Sequence, residues 1–198
     1  LEAVLEAMRA DPQVAEVQEE GCAALRNLTV SMYRPINMSH GQQSAAEAGA
    51  VEAVLDAMQA HMQVTQVQLL GFNALRCVAR CTEVRFGETA TEAAVLKAAM
   101  EGAPQVVVEA MRAHPQVAAV QETGCMTLVH LCSGTDRDAA MHRVTEVGGR
   151  TVLFAALQAF PDLSLPIPTY YLPAAFPGRA PLSEVQSPCR LLLARLPQ

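Results

Sequence analysis

Cysteine and histidine are the side chains here with the most chemistry to offer. Cys77 and Cys81 stand four residues apart, and His130 and Cys132 follow in a later segment. Thiolate and imidazole are zinc donors, but a zinc site needs four converging ligands. Cysteine is also among the most buried residue types, so packing is the expected role of this group. His40, His61, His114, His130 and His142 have no acid–base partner at a useful spacing. The phosphate-binding pattern G-x-x-x-x-G-K-S/T, the dinucleotide pattern G-x-G-x-x-G after a strand, the G-x-S-x-G elbow and H-E-x-x-H are absent. Lys97 is the only lysine, which leaves phosphoryl-transfer and Schiff-base sites poorly supplied. No catalysis, no metal and no cofactor is therefore expected. What remains is arginine: Arg26, Arg76 and Arg80 could pair bidentately with carboxylates or phosphates. The competing reading is that they pair with neighbouring glutamates on a solvated face.

Composition narrows the classes further. The 198 residues carry 14 Lys+Arg against 20 Asp+Glu, a formal net charge of −6, which argues against a general nucleic-acid or anionic-membrane binder. Hydrophobic residues make up 51%, enough surface to bury and fold. Aromatics are only 4% and Trp is absent, so the core must be built from Ala, Val, Leu and Met. No apolar run approaches the length of a membrane span. The six cysteines sit mostly in apolar helical stretches, which predicts reduced, buried thiols rather than a disulfide framework. The sequons at Asn27 and Asn37 are read as chance. Leu1 is already mid-helix in character and no secretory signal precedes it, so the chain reads as an internal fragment of a cytoplasmic or nuclear protein.

The elements that must position these residues are repeated. Leu1–Leu28 (LEAVLEAMRADPQVAEVQEEGCAALRNL), Val51–Val78 (VEAVLDAMQAHMQVTQVQLLGFNALRCV) and Pro104–Leu131 (PQVVVEAMRAHPQVAAVQETGCMTLVHL) align at offsets of 50 and 53, and a fourth copy opens at Arg150. A period near 50 means stacked supersecondary units. Apolar steps of three and four predict a helix of about ten residues, a corner, and a second helix of about sixteen. Pro12, Pro115 and Pro161 mark the corners, where proline suits the first position of a helix, with Asp11 as N-cap. Shorter helices ending in Gly49, Gly102 and Gly148 precede the pairs, and those glycines are placed for the left-handed conformation. Val14, Val17, Leu25, Leu28 and their counterparts are the expected core, together with Met8, Met58 and Met111. Gln18, Gln68 and Gln121 are expected to make inter-repeat hydrogen bonds, and the corner residues His61 and His114, aligned with Asp11 and Phe160, to act as caps. Gly21, Gly71 and Gly124 suggest close helix approach, with Gly71→Ala tolerated and Gly71→Val overpacked.

This order, with its EAGA-type junctions and third helices ending in ALRNL, resembles the armadillo repeat over Glu47–Ala79, Glu101–Cys132 and, without its first helix, Leu1–Thr29. The resemblance implies an all-α fold, a right-handed superhelix of three-helix repeats whose third helices line a groove for extended peptides. In peptide-binding members the third helix carries a Trp and, one turn later, an Asn. The Trp-equivalent positions here are Ala23, Asn73 and Met126, and the Asn-equivalent ones Asn27, Cys77 and His130. Only Asn27 survives, which disfavours a nuclear transport receptor.

The expected division is residues 1–50, 51–103, 104–149 and a degenerate fourth repeat at 150–198, interrupted by a proline-rich insertion over about 164–183. That insertion is either an extended binding segment or, preferentially, translated intron sequence that leaves the last repeat misfolded. By alignment the groove presents Arg26, Asn27, Asn73, Arg76, Cys77, Arg80, Met126 and His130 to a protein or peptide partner. A non-catalytic interaction scaffold is the expected function, and a regulatory repeat region of a larger enzyme, such as a kinase or ubiquitin ligase, is the alternative. An uncapped repeat end favours self-association.

Overall fold

A computed structural model describes residues 1–31, 40–83, 100–132, 137–161 and 188–197, and among them every regular element is a helix. In chain order these are α1 (Glu2–Ala10), α2 (Ala15–Ser31), α3 (His40–Ala60), α4 (Thr65–Glu83), α5 (Ala103–Ala113), α6 (Ala118–Leu131), α7 (Arg137–Glu146), α8 (Gly149–Ala159) and α9 (Pro188–Leu193). Two ladders run through the stack. Second helices pack in the series α1, α3, α5, α8, and third helices in the series α2, α4, α6, α9. Among the described residues the core between the ladders is one cluster of Ala, Val, Leu, Met and Cys with a single fully buried aromatic, Phe72. No helix among the described residues is long and apolar enough to cross a membrane.

The corners differ from the expectation. Asp11 closes α1 instead of capping α2, and Pro12 lies in a turn instead of in the first turn of the helix. The amide of Val14 donates to the Asp11 carbonyl at 3.1 Å, Val64 to His61 at 2.9 Å and Val117 to His114 at 3.2 Å. Each corner is thus a four-residue turn, and proline at its second position supplies the φ that the turn needs. Val14 is consequently exposed rather than core.

The recurring glutamine holds each corner shut from within its own repeat, not between repeats. The side-chain amide of Gln18 donates to the carbonyls of Met8 and Asp11 at 2.9 and 3.0 Å. Gln68 does the same to Met58 and His61, both at 2.9 Å. Gln121 does so to Met111 and His114 at 2.8 and 2.9 Å. Helix carbonyls in the last turn have no partner in their own helix, and here one buried NH2 group serves one of them and adds a second donor to the turn carbonyl beyond it. The links between repeats are made by the corner histidines: Nε2 of His61 meets the Pro12 carbonyl at 2.9 Å, and Nε2 of His114 meets the Met62 carbonyl at 2.9 Å. A carbonyl only accepts, so both rings carry a proton on Nε2.

The glycines split three ways. Gly148 takes the left-handed conformation at φ +77 between α7 and α8, as expected, and Arg112 donates to the neighbouring Val147 carbonyl at 2.6 Å. Gly102 is right-handed, and Gly49 does not end a helix at all, because α3 runs through it. The first helix and second helix of that repeat are therefore one rod, and residues 1–50 and 51–103 do not part at a break. A Cβ on Gly49 or Gly102 would only touch the Leu5 or Leu55 side chain at ordinary contact distance, so neither junction forces the backbone to bend.

The fourth repeat is completed. The insertion at 164–183 lies outside the described residues, but α9 beyond it packs on α8 and α6, with Leu192 and Leu196 buried. Arg150 fixes its end by donating to the carbonyls of Leu196 and Pro197.

Two stability predictions follow from the packing. A Cβ on Gly71 would lie 2.5 Å from the Met58 sulfur and 2.6 Å from its Cγ, so even alanine displaces the methionine. We expect Gly71→Ala to cost about 1–3 kcal/mol in urea unfolding, more for Gly71→Val, and less for Gly71→Ala when Met58→Ala is also present. Gln121→Met strands the Met111 carbonyl in the interior, the His114 carbonyl keeping the Val117 amide, and should cost about 1–3 kcal/mol by the same assay.

Candidate functional site

The third helices position the candidate residues. On α2 and α4 the sequence places apolar side chains, among them Cys22, Leu25, Phe72 and Leu75, into the core. That leaves Arg26, Asn27, Asn73, Arg76 and Cys77 partly or fully exposed along the other side. Arg26 and Arg76 occupy equivalent positions on neighbouring, packed helices. Helices in contact lie about 8–10 Å apart, which sets the spacing of the two arginines' backbones.

Each guanidinium is oriented by an asparagine. Arg26 donates through Nε and an NH2 group to Oδ1 of Asn27 at 3.2 and 3.0 Å. Arg76 donates to Oδ1 of Asn73 at 3.1 Å, and Asn73 is itself held by its donation to the Leu69 carbonyl at 2.8 Å. An amide oxygen fixes direction but brings no negative charge. The adjacency of Asn73 to Arg76 at i, i+3 was the available signal for the second of these bonds.

The third repeat does not extend the face. Met126 is 3% exposed and His130 6%, so neither presents surface to a partner, contrary to the expectation from alignment. Every residue from Gly124 to His130 is buried, nearly two full turns, so all sides of α6 are covered. Its neighbours are α4, α5, α7 and α9, which surround it. His130 Nδ1 donates to the Met126 carbonyl at 2.7 Å, an ordinary intrahelical bond. The side chain of Arg80 lies outside the described residues, as does that of Cys81. The face therefore consists of Arg26, Asn27, Asn73, Arg76 and Cys77, on α2 and α4. Among the described residues no group of three His, Cys, Asp or Glu side chains converges to hold a metal.

The cysteines divide. Cys22, Cys77 and Cys132 are outside disulfides, whereas Cys125 is disulfide-bonded, so the expectation of uniformly reduced thiols fails there. Burial pushes the Cys22 and Cys132 thiols from 9.0 up to about 12, since a thiolate is poorly solvated in the core. In the unfolded chain these thiols ionise at their ordinary value, so the stabilisation is complete below that value. It is lost as pH rises towards about 12. At mildly alkaline pH we expect iodoacetamide to modify Cys77 first and to reach Cys22 and Cys132 only on unfolding. The urea midpoint should fall with pH through the alkaline range, with a shallower slope in Cys22→Ala.

A family model described as the LRRK2 ARM repeat matches residues 1–164. No curated protein and no solved structure gives a match. That span covers the two helix ladders, the clamped corners and the arginine-bearing face as far as the start of the insertion. From the stacked three-helix geometry and this match together, the chain belongs to the LRRK2 ARM repeat family, an armadillo-repeat solenoid.

Proposed function

We propose that the chain is a non-catalytic interaction scaffold that holds an extended segment of a partner protein along α2 and α4. The observation that carries this reading is the equivalent placement of Arg26 and Arg76 on adjacent third helices, each guanidinium aimed by an asparagine amide. A chain in the left-handed polyproline conformation has three residues per turn and advances about 3.1 Å per residue, so side chains three residues apart share a face and match the helix spacing. Carboxylates or phosphates at that interval would meet both arginines, and the planar guanidinium favours bidentate pairing. The net charge of −6 supports a protein or peptide partner over nucleic acid. Cysteines outside disulfides at 22, 77 and 132 support a reducing compartment, the cytoplasm or nucleus, with the Cys125 disulfide weighing against it.

A second reading, that the repeats regulate a larger enzyme, is favoured by the family description, which takes its name from a kinase. A catalytic domain in the same reading frame would support it, and the two readings share the binding face.

The test is binding of extended peptides bearing phosphoserine or glutamate at a three-residue interval, followed by fluorescence anisotropy. Arg26→Ala with Arg76→Ala should weaken binding by about tenfold, or ~1.4 kcal/mol, and leave the melting temperature unchanged. Binding should also fall as salt is raised. Equal affinity for the double variant and the native chain would sink the proposal.

A further inference from the structure

The side of the third helices that carries the arginines changes character towards the corner. Glu19 precedes Arg26 by seven residues and Leu69 precedes Arg76 by seven. Seven residues are close to two helical turns, so each pair shares a side and lies about 10.5 Å apart along the axis. Glu122 is the third-repeat equivalent of Glu19 and Leu69. All three are half-buried, so they reach the surface in a row across α2, α4 and α6. At this level α6 is open: Glu122 and Thr123 are half-buried, whereas the helix is covered from Gly124 to His130. Leu69 and its neighbour Leu70 pack against the core yet keep part of their surface in water, with a carboxylate on the packed helix to either side. Among the described residues neither Glu19 nor Glu122 has a cation within ion-pair distance.

Resting on the reading of Arg26 and Arg76 as a binding rung, we propose that the same partner segment is read along a second edge. There a basic, an apolar and a basic side chain, at three-residue intervals, meet Glu19, the leucines of α4 and Glu122. A segment in the polyproline conformation carries three columns of side chains. With its backbone between the two rows, one column faces the arginines, a second faces the corner, and the third faces solvent. The long flexible stem of a lysine carries its charge out to a carboxylate at that edge. Charge of both signs on one face selects by exclusion as well as by attraction. A uniformly acidic segment is repelled by Glu19 and Glu122, and a uniformly basic one by Arg26 and Arg76. Register is selected too, because a slip by one helix sets a charged side chain against Leu69 and Leu70.

The test is fluorescence anisotropy with two sets of synthetic peptides. One set carries glutamate at a three-residue interval and glutamine elsewhere. The other adds Lys, Leu and Lys at three-residue intervals in either neighbouring column, in both sequence orders. One arrangement of the second set should bind about fivefold more tightly than the first set. Glu19→Gln with Glu122→Gln should remove that gain, and replacing the two peptide lysines by glutamine should remove it without altering the protein. Glu19→Lys with Glu122→Lys should instead favour a peptide with glutamate in place of those lysines, which a merely structural role would not produce. If the first set binds through Arg26 and Arg76 but the second set gains nothing, or the gain survives the glutamine variants, this inference falls and the arginine rung stands. If the second set binds equally well to Arg26→Ala with Arg76→Ala, or no peptide binds, both fall.

Discussion

The rest of the structure depends on one buried amide in each repeat. A helix that stops short of its neighbour leaves carbonyls in its last turn without partners, and a corner buried in that state would be costly. Gln18, Gln68 and Gln121 reach back ten residues to satisfy one such carbonyl each, and seven residues to add a second donor to the turn carbonyl. The result joins the end of one helix, the turn and the start of the next into a rigid unit. With that unit fixed, the arginines on the third helix inherit a fixed direction relative to the core.

Between units the forces are of another kind. Most of each junction is alanine, valine and leucine in contact, which is attractive but has little directional preference. Direction comes from His61 and His114 at the corner edge and from Thr127, whose hydroxyl reaches the Phe72 carbonyl at 3.4 Å. On the surface, Arg143 pairs with Glu101 at 3.1 Å, a contact worth little in water. Small side chains at these junctions let neighbouring second helices approach closely, which is why a chain so poor in aromatics can still build a continuous core.

Much of this was legible in the sequence because each repeat makes the same demand at the same place. The 50- and 53-residue offsets gave helix order, the core positions of Leu25, Leu75 and Leu128, and the close approach at Gly21, Gly71 and Gly124. What could not be read was whatever depends on which partner an atom meets. Gln18 and its counterparts are regularly spaced whether they bond within or between repeats. Gly49 has the right identity to end a helix, but no neighbour forces it to. Met126 and His130 align with exposed residues, and only the packing around α6 shows them to be covered. Asn27 and Asn73 are sequence neighbours of Arg26 and Arg76, but which side-chain atoms bond depends on rotamers that spacing does not give. The recovery of α9 beyond a long interruption lies outside any periodicity argument, since the helix is short and its register is offset.

The contact between methionine and glycine has a consequence for how such arrays diversify. Met8 with Gly21, Met58 with Gly71, and Met111 with Gly124 each leave no room for a methyl group. Neither member of a pair can drift alone without a penalty, so the two behave as a single inherited character. In the fourth repeat Leu157 stands at the methionine position and Pro188 near the glycine position, which is how a jointly altered pair would look. Duplicated units descended from one ancestor should therefore be traced by such couples more faithfully than by either residue counted separately.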